Sequence, residues 1–338
     1  MSKNKVTLAD IAEITGLSTS TVSRALNDSS LIPEATKQLV RTVADETNYR
    51  PHLGARNFRL QKSFNIGVVI PIEASHVETL SNPFVLEFIG SVGTALRQHD
   101  YNLLLIQENR LNEHYWQSGL VDGFIQLGHG LDRHIMESLP DDMPFVVWGP
   151  YFPDRPYVSV GINNTELSHQ VVQHLITQGR RKIAIIVGER YQQSDTEPYQ
   201  RMLGYRHALE EADLHYDDSL VGLANFDTGI GYHAAQSLLN NHPDIDAIFV
   251  ASGDLIALAV IEAIRQMGKN VPDDIAIVSF DNCHIGVHCS VPLTTVSQEV
   301  KSGGAKALVD ALLTQIDGQS VQPFEIEGKI IIRQSSGV

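Results

Sequence analysis

Residues 7–27 read Thr-Leu-Ala-Asp-Ile-Ala-Glu-Ile-Thr-Gly-Leu-Ser-Thr-Ser-Thr-Val-Ser-Arg-Ala-Leu-Asn. Thr7 and Asp10 stand three apart ahead of the apolar spacing Leu8, Ile11, Ala12, which is a helix start with the form of a capping box. Gly16 breaks the chain, because a tight turn between helices needs a residue that takes positive φ without strain. Ser18 offers a hydroxyl to cap a second helix over Thr19–Leu26, with Val22, Ala25 and Leu26 on its buried side. The outward side is expected to carry Thr19, Ser20, Thr21, Ser23, Arg24 and Asn27. Short hydroxyl side chains and one arginine at a helix start suit the major groove of DNA, where arginine pairs bidentately with guanine. A two-helix corner of an ordinary domain has the same spacing; its place at the N-terminus favours DNA.

The net charge of -15 over 338 residues argues against a nucleic-acid partner until the chain is divided. Residues 1–62 hold nine Lys/Arg against six Asp/Glu, a local charge of +3, and the remainder carries -18. A small cationic head on an anionic body confines phosphate contact to the head. Two cysteines give no disulfide framework. The opening Met-Ser-Lys-Asn-Lys lacks the apolar stretch of a signal peptide, and no apolar run has the length of a membrane span. A cytoplasmic protein with reduced thiols and no membrane partner is expected.

A third helix is expected over 34–47, with Leu39, Val40, Val43 and Ala44 on one face, ended near Tyr49 and Pro51. Residues 51–63 are short, basic and barely amphipathic, either a flexible linker or a segment that orders against DNA with Phe58 as a minor-groove wedge. From 64 onward, apolar runs at 66–70, 103–106, 123–127, 145–148, 183–187, 247–250 and 275–280 alternate with helical stretches at 84–99, 165–178, 201–212, 228–239, 255–267 and 302–316. Continuous apolar strands separated by helices predict parallel sheets covered on both faces. Two such series, about 64–162 and 163–292, make two doubly wound units with a ligand cleft at the carboxyl ends of the strands.

Taken end to end, the chain resembles the lactose/galactose repressor family of bacterial transcription regulators. The resemblance rests on Thr-Leu-Ala-Asp-Ile-Ala at 7–12, Ser18 to Arg24, Asn48-Tyr49-Arg50-Pro51 before Ala55-Arg56, and Asn82-Pro83-Phe84. Further on, Val121-Asp122-Gly123, Gly179-Arg180-Arg181-Lys182-Ile183, Arg201-Met202-Leu203-Gly204-Tyr205 and Pro292-Leu293-Thr294-Thr295-Val296 continue it. Each motif is weak; their order and spacing together are specific. The resemblance implies a helix-turn-helix DNA-binding head over 1–50, a hinge over 51–63 and an effector-binding, dimerising core over 64–338. That core is α/β, of the periplasmic-binding-protein type, with two doubly wound parallel-sheet subdomains at about 64–162 with 296–326 and 163–292 with 328–338.

The resemblance also implies roles for particular residues. Thr19, Ser20 and Arg24 would read bases; Thr7, Ser18, Thr21, Ser23 and Asn27 would contact phosphates, and Tyr49, Arg56 and Phe58 complete the DNA-contact set. Phe58 stands where similar proteins usually carry leucine. Arg201 would grip ligand hydroxyls or carboxylates; Asp281 would accept from sugar hydroxyls and Gln298 would supply a polar contact. Phe226 would be an aromatic platform, Phe84 would begin the first-subdomain wall, and Trp148 and Asp254 belong to the same implied set. Phe84 and Phe226 also suit a plain core, and Arg201 a surface ion pair. Where the family often has Asn-Asp this chain has Gly253-Asp254, a loss expected to leave room for a larger or less hydroxylated ligand. Asn163-Asn164 replaces the usual Asp-Asn, and the chain looks shortened around 109–119.

Cys283-His284-Ile285-Gly286-Val287-His288-Cys289 places four metal-type ligands in seven residues, yet adjacent Cys-His pairs rarely converge on one ion. No dinucleotide fingerprint, nucleophile elbow, phosphate loop or His-Glu-x-x-His is present. The expectation is therefore no enzyme, no metal and no cofactor. The chain reads as a regulator of the repressor type, binding double-stranded operator DNA as a homodimer under a small-molecule effector. A carbohydrate stands ahead of a purine or nucleoside, and a sugar-binding receptor without a DNA role is the remaining alternative. No leucine heptad closes the sequence, so no tetramer through a C-terminal bundle is expected.

Overall fold

A computed structural model describes residues 6–49, 62–70, 79–106, 116–128, 140, 142–150 and 157–337. The chain divides into two compact units, Met1–Ser63 and Phe64–Val338.

The first unit is built on α1 (Leu8–Thr15), α2 (Thr19–Leu26) and α3 (Glu34–Glu46). Thr7 and Asp10 form the reciprocal cap: Asp10 Oδ2 accepts from the Thr7 amide at 2.7 Å and Thr7 Oγ1 accepts from the Asp10 amide at 3.4 Å. Gly16 ends α1 at φ 69° and lets the chain turn. Ser18 Oγ accepts from the Thr21 amide at 3.1 Å and starts α2. Ile11, Ala12, Val22, Ala25, Val40 and Val43 close the core between the three helices.

Two side chains differ from the sequence expectation. Ser23, expected outward, is 5% exposed, because it shares the inward face with Val22 and the following Ala25. Leu39, expected inward, is 48% exposed. It lies about 100° round α3 from Val40, and Lys37 occupies the inward position instead. Its alkyl stem is buried and its ammonium sits 2.9 Å from the Asp28 carboxylate, which Arg41 also reaches at 2.9 Å.

The second unit contains two six-stranded sheets. The first takes the order β2 (Asn102–Ile106), β1 (Asn65–Val69), β3 (Gly123–Leu127), β4 (Phe145–Trp148), β5 (Val158–Ile162), β11 (Phe324–Ile326). The second takes the order β7 (Val221–Leu223), β6 (Ile183–Val187), β8 (Ala247–Val250), β9 (Ala276–Asp281), β10 (Thr294–Ser297), β12 (Lys329–Ile331). Every pairing is parallel except β10 with β12. Strand β6 shows why the run is apolar throughout: Ile183, Ile185 and Val187 enter one core and Ala184 and Ile186 the other.

The faces of the first sheet are covered on one side by α4 (Pro83–Arg97) and α10 (Ala305–Ile316). Those of the second are covered by α5 (Asn164–Thr177) with α6 (Glu197–Glu211) on one side and α7 (Thr228–Asn241) with α8 (Asp254–Gln266) on the other. A four-residue helix, α9 (His284–Val287), follows β9. The chain passes between the sheets after β5, after β10 and between β11 and β12. Val296 and Ser297 thus belong to the second sheet, and the return to the first follows them. The carboxyl ends of β1, β3, β4 and β5 in the first lobe and of β8, β9 and β10 in the second border one space. No helix among the described residues is long and apolar enough to cross a membrane.

Candidate functional site

On the first unit, Thr7, Ser18, Thr19, Ser20, Arg24 and Asn27 are exposed and Thr21 is half-buried. Ser18 Oγ lies 2.8 Å from both Ser20 Oγ and Thr21 Oγ1, so three hydroxyls gather at the start of α2, where unpaired helix amides also point. Asn27 donates through Nδ2 to the Ser23 carbonyl at 2.7 Å, which turns its side-chain oxygen outward. Arg24 makes no ion pair among the described residues, whereas Lys37 and Arg41 are both held by Asp28. Such a surface offers hydroxyls and one exposed guanidinium to an anionic groove. Ser23 does not share it. Tyr49 packs half-buried against the helical core, and burial raises its phenol pKa. Arg56 and Phe58 lie outside the described residues.

In the second unit the cleft between the lobes encloses a cavity of about 220 Å³. Its lining comes from the carboxyl ends of the strands: Ile70 after β1, Leu127 on β3, Trp148 on β4, Ala251 after β8, Asp281 on β9 and Gln298 after β10. The first lobe contributes an apolar wall of Ile70, Phe84, Val85, Leu127 and Trp148. Asn82 holds Phe84 there, since its Oδ1 accepts from the Phe84 amide at 2.9 Å and fixes the first turn of α4. The second lobe contributes Asn164, Glu197, Arg201, Asn225, Ser252 and Asp281. Phe226, 37% exposed, stands beside Asn225 at the cleft. Neither phenylalanine is plain core.

Arg201 is fixed by three partners. Its Nε donates to Asn164 Oδ1 at 3.0 Å, its Nη1 to the Ala251 carbonyl at 2.6 Å, and its guanidinium lies 3.7 Å over the Phe280 ring. Burial lowers its pKa, opposed by the negative charges of Asp281 and Glu197. Asp281 takes the unusual φ of 104°, which aims its carboxylate into the cleft. Burial raises its pKa, opposed by Arg201 and by a hydrogen bond from Gln298. Gln298 Nε2 donates to Asp281 Oδ1 at 2.7 Å and its Oε1 accepts from Trp148 Nε1 at 3.3 Å. A wall residue of one lobe is thereby tied to an acid of the other through the crossover that follows β10. Glu87 on α4 makes a second tie across the cleft, accepting from the His284 amide at 3.0 Å and pairing with Lys301 at 2.6 Å.

Gly253 and Asp254 correct two expectations. A Cβ at Gly253 would lie 2.5 Å from Asp281 Oδ2, so the missing side chain leaves no extra room for ligand; the Asp281 carboxylate takes it up. The φ of 109° there also favours glycine. Asp254 does not line the cleft. It is 0% exposed and accepts from Ser279 Oγ at 2.5 Å, Thr295 Oγ1 at 2.8 Å and the Cys283 amide at 2.6 Å. Its carboxylate clamps β9, β10 and the turn after β9 behind the cleft. Burial and then the Asp281 charge push its pKa up to about 7, against those three donors.

In the 283–289 segment Cys283 and Gly286 are buried, whereas His284, Ile285 and His288 are exposed. Cys289 Sγ donates to the Val291 carbonyl at 3.0 Å, and the His284 and His288 rings lie with centroids 4.7 Å apart, tilted 45° to each other. Among the described residues no three His, Cys, Asp or Glu side chains gather for a metal. Sequence reasoning missed Asn164, Glu197, Asn225 and Ser252 as cleft residues. Asn225 and Ser252 each follow closely on a strand, so the strand-end rule would have marked them; Glu197 carried no such signal.

Residues 7–52 match the family described as bacterial regulatory proteins, lacI family, and residues 172–336 match a periplasmic binding protein-like domain. The chain is 30% identical to the HTH-type transcriptional regulator CelR of Thermobifida fusca, over 98% of this chain and 99% of that one. It is 29% identical to the HTH-type transcriptional repressor PurR of Aliivibrio salmonicida (strain LFI1238), over 97% and 98%. Among solved structures it resembles a transcriptional regulator CelR-cellobiose complex at TM-score 0.70 and 28% identity, covering 98% and 99%. The lac repressor dimer bound to operator and the anti-inducer ONPF gives TM-score 0.83 at 22% identity, over 98% and 99%, a likeness of fold.

Proposed function

The chain belongs to the lacI family of bacterial regulatory proteins, and from that premise we propose that it is a repressor whose cleft takes a carbohydrate. That it is a DNA-binding transcriptional regulator under the control of an effector follows from the family. The carbohydrate rests on one observation above all: an apolar, aromatic wall faces a wall of hydrogen-bonding groups across the cleft. A sugar ring presents the same two characters, C–H faces and a hydroxyl rim. Phe84, Trp148 and Phe226 cover the ring faces; Arg201, Asp281 and Gln298 address the hydroxyls. The cellobiose in the CelR complex supports this reading. A purine or nucleoside is the second reading, favoured by the PurR relatives and by the same aromatic wall.

Thr19, Ser20 and Arg24 read bases, while Thr7, Ser18, Thr21 and Asn27 contact phosphates and Tyr49 supports the end of α3. Arg56 and Phe58 act in the hinge. Two copies of the chain present two heads to a near-palindromic operator in the cytoplasm. Ligand that prefers one arrangement of the lobes shifts their populations, with Trp148, Gln298 and Asp281 as the contact that changes. A thermal-shift screen of mono- and disaccharides, sugar phosphates and purines tests the effector, because a ligand at 100 times its Kd adds about 2.7 kcal/mol. A shift with sugars supports the proposal; a shift with purines alone overturns it in favour of the second reading.

A further inference from the structure

The turn that follows β9 is bonded to both lobes. Asp281, which lines the cleft, and Asn282 take φ of 104° and 54°. Two successive non-glycine residues at positive φ persist only where the surroundings over-determine the backbone. Here three successive amides are each held by a different element. The Asn282 amide donates to Thr295 Oγ1 of β10 at 3.3 Å, and the Cys283 amide to Asp254 Oδ2 at the start of α8 at 2.6 Å. Both of those partners belong to the second lobe. The His284 amide donates instead to Glu87 Oε1 of α4 at 3.0 Å, across the cleft.

Glu87 is aimed from its own side. Lys301 pairs with its other oxygen, Oε2, at 2.6 Å, and the preceding Val300 packs in the first-lobe core. One carboxylate oxygen thus faces a cation of the first lobe and the other an amide of the second. Among the described residues, neither Glu87 nor His284 lines the cavity. A ligand bonded to Asp281 therefore acts on a backbone that is tied, three residues on, to the opposite lobe.

We propose that Glu87 is a positioning residue for effector control: through the His284 amide it holds the two lobes in this arrangement, and so sets the balance of arrangements on which an effector acts. It needs no contact with the ligand to do so, because a group that favours one arrangement shifts the populations by itself. The proposal goes beyond the carbohydrate reading and stands whichever ligand fills the cleft.

Trp148 reports the arrangement. It is 2% exposed, lines the cavity from the first lobe and, with Trp116, makes up the chain's two tryptophans. In the full chain carrying Trp116→Phe, acrylamide quenching of the Trp148 emission with no ligand added tests the tie, and thermal melting shows which variants are folded. Glu87→Ala removes the acceptor. His284→Pro removes the donor at the first position of α9, where the fixed φ of proline fits a helix, and leaves Glu87 in place. Each is expected to raise the quenching constant at least about two-fold, as lobes that part more often uncover the ring. Either variant alone suffices if the other does not fold. The double variant should quench no more than the stronger single, because both remove one bond. His284→Ala keeps the amide and should match the parent. Unchanged quenching in the folded singles overturns the proposal. So does an increase in Glu87→Ala without one in folded His284→Pro, which would assign the effect to the lost charge. Single effects that multiply in the double variant, or His284→Ala quenching as much as His284→Pro, overturn it as well.

Discussion

In the head, the hydroxyls of Thr19 and Ser20 and the guanidinium of Arg24 stand in solvent. In the cleft, Arg201 is bonded to Asn164 and Ala251, Asp281 to Gln298, and Gln298 to Trp148. Both regions concentrate polar chemistry, and they hold it differently because their partners differ. A groove of phosphates is a repeating charge that separate, mobile side chains can meet one at a time. A small ligand must be met by several groups at once, so those groups are held in place by each other and by strand ends. Contributions in the head should therefore be nearly separable, and contributions in the cleft strongly coupled.

Asp254→Ala should give the largest effect. It leaves the Ser279 and Thr295 hydroxyls and the Cys283 amide without their buried acceptor, at a cost of about 3–5 kcal/mol in stability. Urea denaturation measures it; a loss below about 1 kcal/mol would mean that water or rearrangement satisfies the three donors. Arg201→Ala comes next. It leaves Asp281 buried without its counter-charge, and effector affinity should fall about 100-fold or more while operator binding in the absence of effector persists. Equal loss of both functions would show that Arg201 holds the fold rather than the ligand.

Arg24→Ala should cost about 1–3 kcal/mol in operator binding and leave effector binding unchanged. If the variant binds unrelated and operator DNA with the same ratio as the parent, Arg24 touches phosphate rather than a base. A further effect is on the pH dependence of stability. The pKa of Asp254 stands at about 7 in the folded chain against an ordinary 3.8. Between those values the folded chain keeps a proton that the unfolded chain has released, so stability falls as pH rises from about 4 to about 7. Denaturation midpoints across that range should show the slope in the parent and a flatter one in Asp254→Asn.

Most of this architecture was readable from the chain because of how parallel sheets bury their strands. Four strands, Gly123–Leu127, Phe145–Trp148, Ile183–Val187 and Ala247–Val250, coincide with the apolar runs residue for residue. Val158–Ile162 escaped because Ser159 and Gly161 interrupt its apolar side chains, and the edge strands Val221–Leu223, Phe324–Ile326 and Lys329–Ile331 are three residues long and partly exposed. The cleft residues Phe84, Trp148, Arg201, Phe226, Asp281 and Gln298 were named through the family resemblance, and the fold brings them together. Asp254 was misplaced because a motif gives a position in the chain and says nothing about which way a carboxylate turns. Ser23 and Lys37 show the same limit in the head, where a hydroxyl goes inward and a lysine stem replaces a leucine.

The coupling of the two regions is tested most directly by one titration: the operator dissociation constant of the full chain, with and without a saturating sugar already shown by calorimetry to bind. A change of at least about ten-fold is expected with the sugar, and no change in Arg201→Ala. An operator dissociation constant that is the same with the cleft filled and unfilled would contradict it.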